Sequence, residues 1–265
     1  MGKIIAICNQ KGGVGKTTTC INLSAALTYL GKKVLIIDLD PQGNATSGLG
    51  IDKHKLTHSI YQALLKEVVL SEIILPTSLD LLKLIPAQIE LIGAEVELNR
   101  IEGGQFVLKK ILSGIEENFD FLFIDLPPSL GMLTVNALTA AHSVLIPIQC
   151  EYYALEGLSQ LLFTLEKVKQ AFNPGLLREG ILLTMADFRT NLSQEVIAEA
   201  RRHFGNEVYQ TVIPRSIRLS EAPGFGKPIF LYAPESQGAI KYRELAQEFL
   251  LHNTEINVNA NISSG

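Results

Sequence analysis

A chain of 265 residues with 47% hydrophobic and 19% charged residues can bury a large core, and this composition excludes an intrinsically disordered protein. A net charge of −4 argues against attraction of nucleic acid by the whole surface, and no apolar run is long enough to span a bilayer. Three scattered cysteines favour buried thiols in a reducing compartment, so we expect a cytoplasmic protein.

Apolar segments alternate with helical patterns along most of the chain. The predicted strands cover residues 3–8, 33–38, 81–85, 121–125, 143–148, 180–185 and 207–213. The predicted helices cover residues 16–31, 58–66, 105–116, 132–141, 154–172, 192–204 and 236–251. This alternation predicts an α/β fold, a mainly parallel twisted sheet with helices on both faces. We expect a single domain over residues 1–252 and a polar, flexible tail over residues 253–265.

A glycine-rich loop joins the first predicted strand to the first predicted helix. It consists of Lys11, Gly12, Gly13, Val14, Gly15, Lys16, Thr17 and Thr18. Glycines let backbone N–H groups converge on phosphate oxygens, and the helix N-terminus favours negative charge. We therefore expect Lys16 to bind the β- and γ-phosphates and the Thr17 hydroxyl to bind Mg²⁺. The loop departs from the general phosphate-loop pattern, because Gln10 replaces its first glycine and Lys11 adds a second lysine.

Acidic residues end two of the predicted buried strands. Asp38 and Asp40 stand at the end of the second strand, and Asp125 ends the fourth, just before a Leu-Pro-Pro-Ser segment. Ligands of parallel α/β sheets bind beyond the carboxyl ends of the strands, and a carboxylate there is costly unless a cation or water uses it. Together with Lys16 and Thr17, these acids predict a Mg²⁺-dependent nucleoside triphosphatase. Capping of the following helix is the structural alternative for Asp125.

Basic residues are concentrated in the C-terminal third of the chain. Residues 167–243 contain 11 Lys and Arg against 7 Asp and Glu, whereas residues 1–166 contain 12 against 17. Such a distribution can present a phosphate-binding face on an acidic protein. Scattered, solvated charge is the alternative interpretation.

These motifs resemble the deviant Walker A ATPases of the ParA/MinD superfamily, whose hallmark is the additional lysine at the position of Lys11. Residues 38–44 and 125–129 resemble the Soj/ParA branch in particular. So do Glu151-Tyr-Tyr-Ala-Leu-Glu-Gly157 and Ile213-Pro-Arg-Ser-Ile-Arg-Leu-Ser-Glu-Ala-Pro223. The resemblance covers about residues 3–250, and it implies an ATP-dependent partition ATPase of chromosomes or plasmids.

The resemblance also implies roles for individual residues. Two subunits would form a homodimer around ATP, in which Lys11 contacts the partner's phosphates. Lys11, Lys16 and Asp40 would be catalytic, and Asp40 would orient the attacking water. The implied nucleotide contacts are residues 11–18 with Pro214 and Arg215 beside the adenine, and the implied Mg²⁺ site comprises Thr17 with Asp38 and Asp125.

Two macromolecular partners follow from the same resemblance. The ATP dimer would bind double-stranded DNA without sequence preference through Arg189 and Arg218, which Lys227, Lys241 and Arg243 could supplement. A ParB-type centromere-binding protein would stimulate hydrolysis and release the dimer from DNA. Because Met1 leads directly into the first strand, we expect neither a signal peptide nor an N-terminal helix-turn-helix.

Other interpretations stay open at this point. A MinD-like ATPase would cycle on membranes through a basic C-terminal helix, but no Lys or Arg follows Arg243, so we expect no membrane binding. A nucleotide-switch protein without hydrolysis is the second alternative. A small-molecule kinase that shares the phosphate loop is the third.

Overall fold

Seven strands form one sheet in a computed structural model, which describes residues 2–152 and 156–262, with side chains up to residue 254 except that of residue 156. The strands are β1 (Lys3–Ile7), β2 (Val34–Asp38), β3 (Leu75–Pro76), β4 (Leu82–Ile85), β5 (Phe121–Asp125), β6 (Ser143–Gln149) and β7 (Leu177–Thr184). The helices of the described residues are α1 (Lys16–Tyr29), α2 (Asn44–Gly48), α3 (Ile60–Leu64), α4 (Leu91–Arg100), α5 (Val107–Leu112), α6 (Met132–Ala140), α7 (Glu156–Ala171), α8 (Asn191–Phe204), α9 (Ile217–Glu221), α10 (Ile229–Tyr232) and α11 (Gln237–Ile262).

The strand order determines which residues meet at the carboxyl edge of the sheet. The order is β3-β4-β2-β5-β1-β6-β7, and every pairing is parallel except that of the two-residue edge strand β3 with β4. In this register Asp125 of β5 lies beside Asp38 of β2 on one side and Ile7 of β1 on the other. The phosphate loop after β1 and the acids that end β2 and β5 therefore share one edge.

Helices cover both faces of the sheet, as the α/β prediction requires. All residues of β2 and β5 are buried, which explains their uninterrupted apolar sequences. On one face α1 and α11 pack against the strands, with Phe249 of α11 in contact with Phe121 and Phe123. On the other face α4 to α8 enclose a second core. The predicted fold class is confirmed.

The predicted strand over residues 207–213 is wrong. This segment forms a single bridge to β7, between Val208 and Ile181, and is not a continuous strand. The amides of Tyr209 and Ile213 donate to carbonyls of β7. Between them, Glu248 of α11 accepts the N–H groups of Gln210 and Thr211 at 2.5 and 2.9 Å. Two consecutive amides bound to one side chain break the alternation that a regular strand needs.

Several helix bounds also differ from the predictions. Helix α4 lies in a stretch with no predicted element, and the helix predicted over 105–116 is limited to α5. Helix α11 continues to Ile262, past the predicted end at residue 251. The flexibility of residues 253–265 stays a prediction, and residues 263–265 lie outside the described part. Within the part that the structure describes, no helix combines the length and apolarity needed to cross a membrane.

Candidate functional site

The loop between β1 and α1 depends on two glycines with left-handed backbone. Gly13 has φ +76° and Gly15 has φ +87°, a region that strains other residues. Gly15 is also the N-cap residue of α1, so the orphan N–H groups of the first helical turn lie next to the loop. This local geometry matches that of a helix N-terminus that binds phosphate.

A cleft of about 480 Å³ opens at this loop. Its walls come from the phosphate loop and α1, the segment after β2, the segment after β5, and two segments near the C-terminus. The lining residues are Gly12, Gly13, Gly15, Lys16, Thr17, Thr18, Ile21, Asn22, Asp40, Gln42, Asn44, Ser47, Pro128, Met185, Ala222, Pro223 and Lys227. The structure thus brings most of the predicted loop contacts and Asp40 into one cavity.

Lys16 is held in this cleft without a carboxylate partner among the described residues. Its side chain is nearly buried, with 7% of the residue exposed, and Nζ donates to the carbonyl of Lys11 at 3.1 Å. Burial lowers the pKa of Lys16, while the nearby charges of Asp125, Cys8 and Asp40 oppose that shift. An ammonium group in this position can bind a phosphate without first breaking an ion pair.

Thr17 and Asp125 form the centre of a possible metal site. The Thr17 hydroxyl donates to Asp125 Oδ2 at 2.7 Å, and Asp125 Oδ1 is buried with no hydrogen-bond partner among the described residues. Burial, followed by the charge of Asp38, raises the pKa of Asp125. A buried, unpartnered carboxylate oxygen beside a threonine hydroxyl fits Mg²⁺, which prefers oxygen ligands.

The described residues supply few direct metal ligands. No group of three or more His, Cys, Asp or Glu side chains within them is arranged to hold a metal ion by itself. This agrees with the usual coordination of Mg²⁺, which keeps several waters and takes one or two protein ligands together with substrate phosphates.

Asp38 and Asp40 have different surroundings, although both follow β2. Asp38 is fully buried and accepts two hydrogen bonds from Thr46, from the amide at 2.8 Å and from the hydroxyl at 2.7 Å. Burial raises the pKa of Asp38 to about 6, and the hydrogen bonds from Thr46 oppose this shift. Asp40 lines the cleft, and its Oδ1 accepts the N–H of Gln42 at 2.9 Å.

The Lys11 side chain, unlike that of Lys16, lies outside the cleft lining. This side chain is 49% exposed and forms an ion pair with Glu151. The Lys11 N–H donates to Asn9 Oδ1 at 3.0 Å, and Asn9 in turn donates to the carbonyl of Pro147 at 2.7 Å. The sequence placed Glu151 in a motif but gave it no role, and Tyr153, Ala154 and Leu155 of that motif lie outside the described residues.

Pro214 and Arg215 do not line the cleft. The N–H of Arg215 donates to the carbonyl of Ala186 at 3.0 Å, and the cleft wall on this side consists of Met185, Ala222, Pro223 and Lys227. Contact of Pro214 and Arg215 with adenine therefore stays a prediction. No sequence pattern singled out Met185 or Pro223, because their position depends on how distant segments pack.

The two predicted DNA-contacting arginines lie on neighbouring segments. A parallel bridge between Ala186 and Pro214 brings the two segments together just before each arginine. Arg189, with 89% of its side chain exposed, binds both carboxylate oxygens of Asp187 at 2.8 and 2.7 Å. Arg218, 60% exposed, donates to Glu221 at 3.0 Å.

Comparison with known proteins gives consistent matches. Residues 2–177 match a family model described as an AAA domain. The chain is 56% identical over 248 residues to the sporulation initiation inhibitor protein Soj of Bacillus subtilis, which covers 94% of this chain and 98% of that protein. It is 52% identical over 254 residues to the chromosome partitioning protein ParA of Myxococcus xanthus, with 96% and 90% covered.

A solved structure extends the likeness to three dimensions. The cobyrinic acid a,c-diamide synthase of Mycobacterium smegmatis, with bound ADP and magnesium, superimposes with a TM-score of 0.85 at 41% identity. The match covers 96% of each chain. The similarity thus includes the phosphate loop, both acidic strand ends and the C-terminal segments that line the cleft.

Proposed function

This chain belongs to the Soj/ParA family of deviant Walker A ATPases, and from that premise we propose that it uses ATP hydrolysis to partition a chromosome or plasmid. It is an ATPase with ATP and Mg²⁺ as its ligands. The observation that supports this function best is the convergence of Lys16, Thr17 and Asp40 at one cleft on the carboxyl edge of the sheet, with the buried Asp125 bound to the Thr17 hydroxyl.

The cleft suggests how each side chain contributes to hydrolysis. Lys16 would bind the β- and γ-phosphates, the Thr17 hydroxyl would hold Mg²⁺, and Asp125 and Asp38 would support the metal site. When bound, Mg²⁺ neutralises charge on the phosphate oxygens. Asp40, which faces the cleft, accepts a hydrogen bond from the attacking water and orients it.

Lys11 acts in a homodimer. Within one subunit its ammonium is half-exposed and paired with Glu151, while Lys16 already occupies the cleft. In the ATP-bound dimer Lys11 exchanges Glu151 for the phosphates of the partner subunit and stabilises negative charge there, as an arginine finger does in trans.

The ATP dimer binds duplex DNA without sequence preference through Arg189 and Arg218. Contacts to phosphates carry no sequence information and weaken steeply with salt. A ParB-type centromere-binding protein stimulates hydrolysis and thereby releases the dimer. The protein is cytoplasmic and associates with the nucleoid in its ATP-bound state.

A hydrolysis assay tests this function directly. We expect slow release of phosphate from Mg²⁺-ATP, which increases when both duplex DNA and the cognate ParB are added. The increase should diminish at the higher of two salt concentrations, because DNA binding depends on phosphate contacts. The control is Lys16→Ala, which removes the ammonium group in the cleft and reports any contaminating activity.

Two results would count against the proposal. Hydrolysis no faster than that of Lys16→Ala would leave a nucleotide switch without turnover. Hydrolysis that ParB and DNA together leave unchanged would retain the ATPase but remove the main support for a role in partition.

A further inference from the structure

A chain of hydrogen bonds connects the segment that follows β4 with the loop that carries Asp40. The amide of Ala87 donates to the Thr46 hydroxyl oxygen at 3.0 Å, and that hydroxyl donates to Asp38 Oδ2 at 2.7 Å. The other carboxylate oxygen of Asp38 accepts the N–H of Asp40 at 3.3 Å. The chain therefore runs from Ala87 through Thr46 and Asp38 to the backbone of Asp40.

Burial makes the hydrogen bonds of this chain costly to break. Thr46, Asp38 and Ala87 are fully buried, so water cannot replace a hydrogen bond that is lost. A threonine hydroxyl has one proton to donate, and here the contact from Ala87 N–H occupies an acceptor position and leaves that proton for Asp38. The orientation of the hydroxyl, and with it that of the Asp38 carboxylate, is thus determined by the backbone at Ala87.

Thr46 does not belong to the cleft lining, whereas Asp40 does. We propose that Thr46 is a positioning residue for hydrolysis, which fixes the Asp38 carboxylate and through it holds the Asp40 backbone so that the Asp40 side chain faces the nucleotide. This inference rests on the proposed function, in which Asp40 orients the attacking water. Because Thr46 lies outside the cleft lining, its loss affects turnover more than nucleotide binding when Mg²⁺ is saturating, since Asp38 also belongs to the proposed Mg²⁺ site.

The substitution Thr46→Val tests the hydroxyl with little change of shape. Valine keeps the branched side chain but leaves the Ala87 N–H without its acceptor and Asp38 with one donor fewer. We expect kcat to fall by about 10- to 100-fold, the usual effect of removing a partner that orients a site residue. The KM for ATP, measured at saturating Mg²⁺ because Asp38 also supports the proposed metal site, should stay within about twofold, since the cleft contacts are retained.

Two further variants separate positioning from packing. Thr46→Ser keeps the hydroxyl and should restore most of the turnover that Thr46→Val loses. Thr139→Val is the matched control, because Thr139 is also fully buried and its hydroxyl donates to the carbonyl of Val135 within α6, away from the cleft. Its kcat should equal that of the unmodified protein.

Hydrogen exchange followed by mass spectrometry supplies a readout that does not need activity. In nucleotide-free protein, amides in peptides covering residues 38–48 should exchange faster in Thr46→Val than in the unmodified protein, and Thr139→Val should not change them. If Thr46→Val does not fold, Thr46→Ala removes the same hydroxyl without a branched side chain and should give the same result.

The outcomes distinguish this inference from the proposed function. Unchanged kcat in Thr46→Val, or an equal loss in Thr46→Ser, overturns the positioning role while hydrolysis by the unmodified protein still stands. Absence of hydrolysis in the unmodified protein overturns the proposed function. In that case the exchange data still decide whether Thr46 holds Asp38 and the Asp40 backbone in place. Equal exchange in Thr46→Val and in the unmodified protein rejects that role.

Discussion

Arg189 and Arg218 each carry a carboxylate partner on their own subunit. Asp187 binds Arg189 through two hydrogen bonds, and Glu221 binds Arg218 and also accepts the hydroxyl of Tyr232 at 2.9 Å. Exposed ion pairs of this kind add little stability, so a DNA phosphate can displace the carboxylate. Under the proposed DNA-binding role of these arginines, the carboxylates would compete with DNA phosphates, and removal of a carboxylate should strengthen binding.

Paired substitutions at Arg218 and Glu221 test this competition. Arg218→Ala should weaken ATP-dependent duplex binding about equally for all sequences and lower the salt slope by roughly one unit for each subunit on the DNA, because one phosphate contact per subunit is lost. Glu221→Gln should have the opposite effect on affinity, since it removes the negative charge that competes for the Arg218 guanidinium group while its amide oxygen can still accept the Tyr232 hydroxyl. Fluorescence anisotropy with labelled duplexes at several salt concentrations measures both.

ATP affinity, measured on the same preparations, is the control for Arg218. Unchanged ATP affinity with weaker DNA binding supports a DNA contact. Loss of both would make Arg218 part of the nucleotide site, and weaker DNA binding by Glu221→Gln would contradict the competition.

At the scale of elements, two glycines allow α2 to approach the turn that precedes α10. Gly50 and Gly226 both have left-handed φ values, +82° and +64°, and a Cβ at Gly226 would lie 2.5 Å from the Gly50 Cα. This contact joins the segment that follows Asp40 to the cleft wall formed by Pro223 and Lys227. It determines how far apart these two sides of the cleft stand.

Replacement of Gly226 by alanine should destabilise the protein by about 1–3 kcal/mol, because it adds both backbone strain and a clash with backbone atoms. The matched control is Gly224→Ala in the same turn, where an added Cβ meets nothing within 4 Å and the change should stay within about 0.5 kcal/mol. Urea denaturation of the two variants gives both values. Equal stability of the two variants would show that the close approach is not required.

The elements differ in how far the sequence alone predicts them. Strands β1, β2 and β5 were predicted closely, because continuous apolar runs have no alternative to burial in the sheet. Helix α4 escaped prediction because Ile92 and Val96 are exposed, which blurs the apolar stripe that marks a helix. The strand predicted over 207–213 failed because two consecutive amides in its middle bind Glu248, a residue remote in sequence, in place of β7.

For the candidate site too, the sequence predicts residues that lie within local motifs but not those that meet only after folding. Lys16, Thr17 and Asp125 lie in motifs whose spacing already carries their chemistry, and the structure brings them together. Motif spacing assigns no role to Thr46 or Glu151. Their proposed roles depend on the contacts that they make after folding, with Asp38 and Lys11 respectively, and a motif does not specify those contacts.

At the scale of the whole molecule, the sheet order concentrates charge on one edge. Strands β2, β5 and β1 are neighbours, so the loops that carry Asp40, Asp125 and the phosphate loop all open on the same side. Within one subunit Lys16 lines the cleft, whereas Lys11 lies outside the lining and forms an ion pair with Glu151. In the proposed homodimer, a second copy related by a two-fold axis would give Lys11 a place in the partner's cleft.

Mixing two inactive variants tests whether Lys11 acts across such an interface. Lys11→Ala and Asp40→Ala should each abolish hydrolysis, and light scattering should show Asp40→Ala as a dimer with Mg²⁺-ATP, since it cannot complete turnover. In a mixed dimer, one site combines Asp40 of one subunit with Lys11 of the other. An equal mixture should therefore recover about a quarter of the unmodified activity if the subunits pair at random.

If Lys11 served its own subunit, both sites of the mixed dimer would be defective. No recovery, in a mixture shown by tagged pull-down to contain mixed dimers, would thus assign Lys11 to its own subunit.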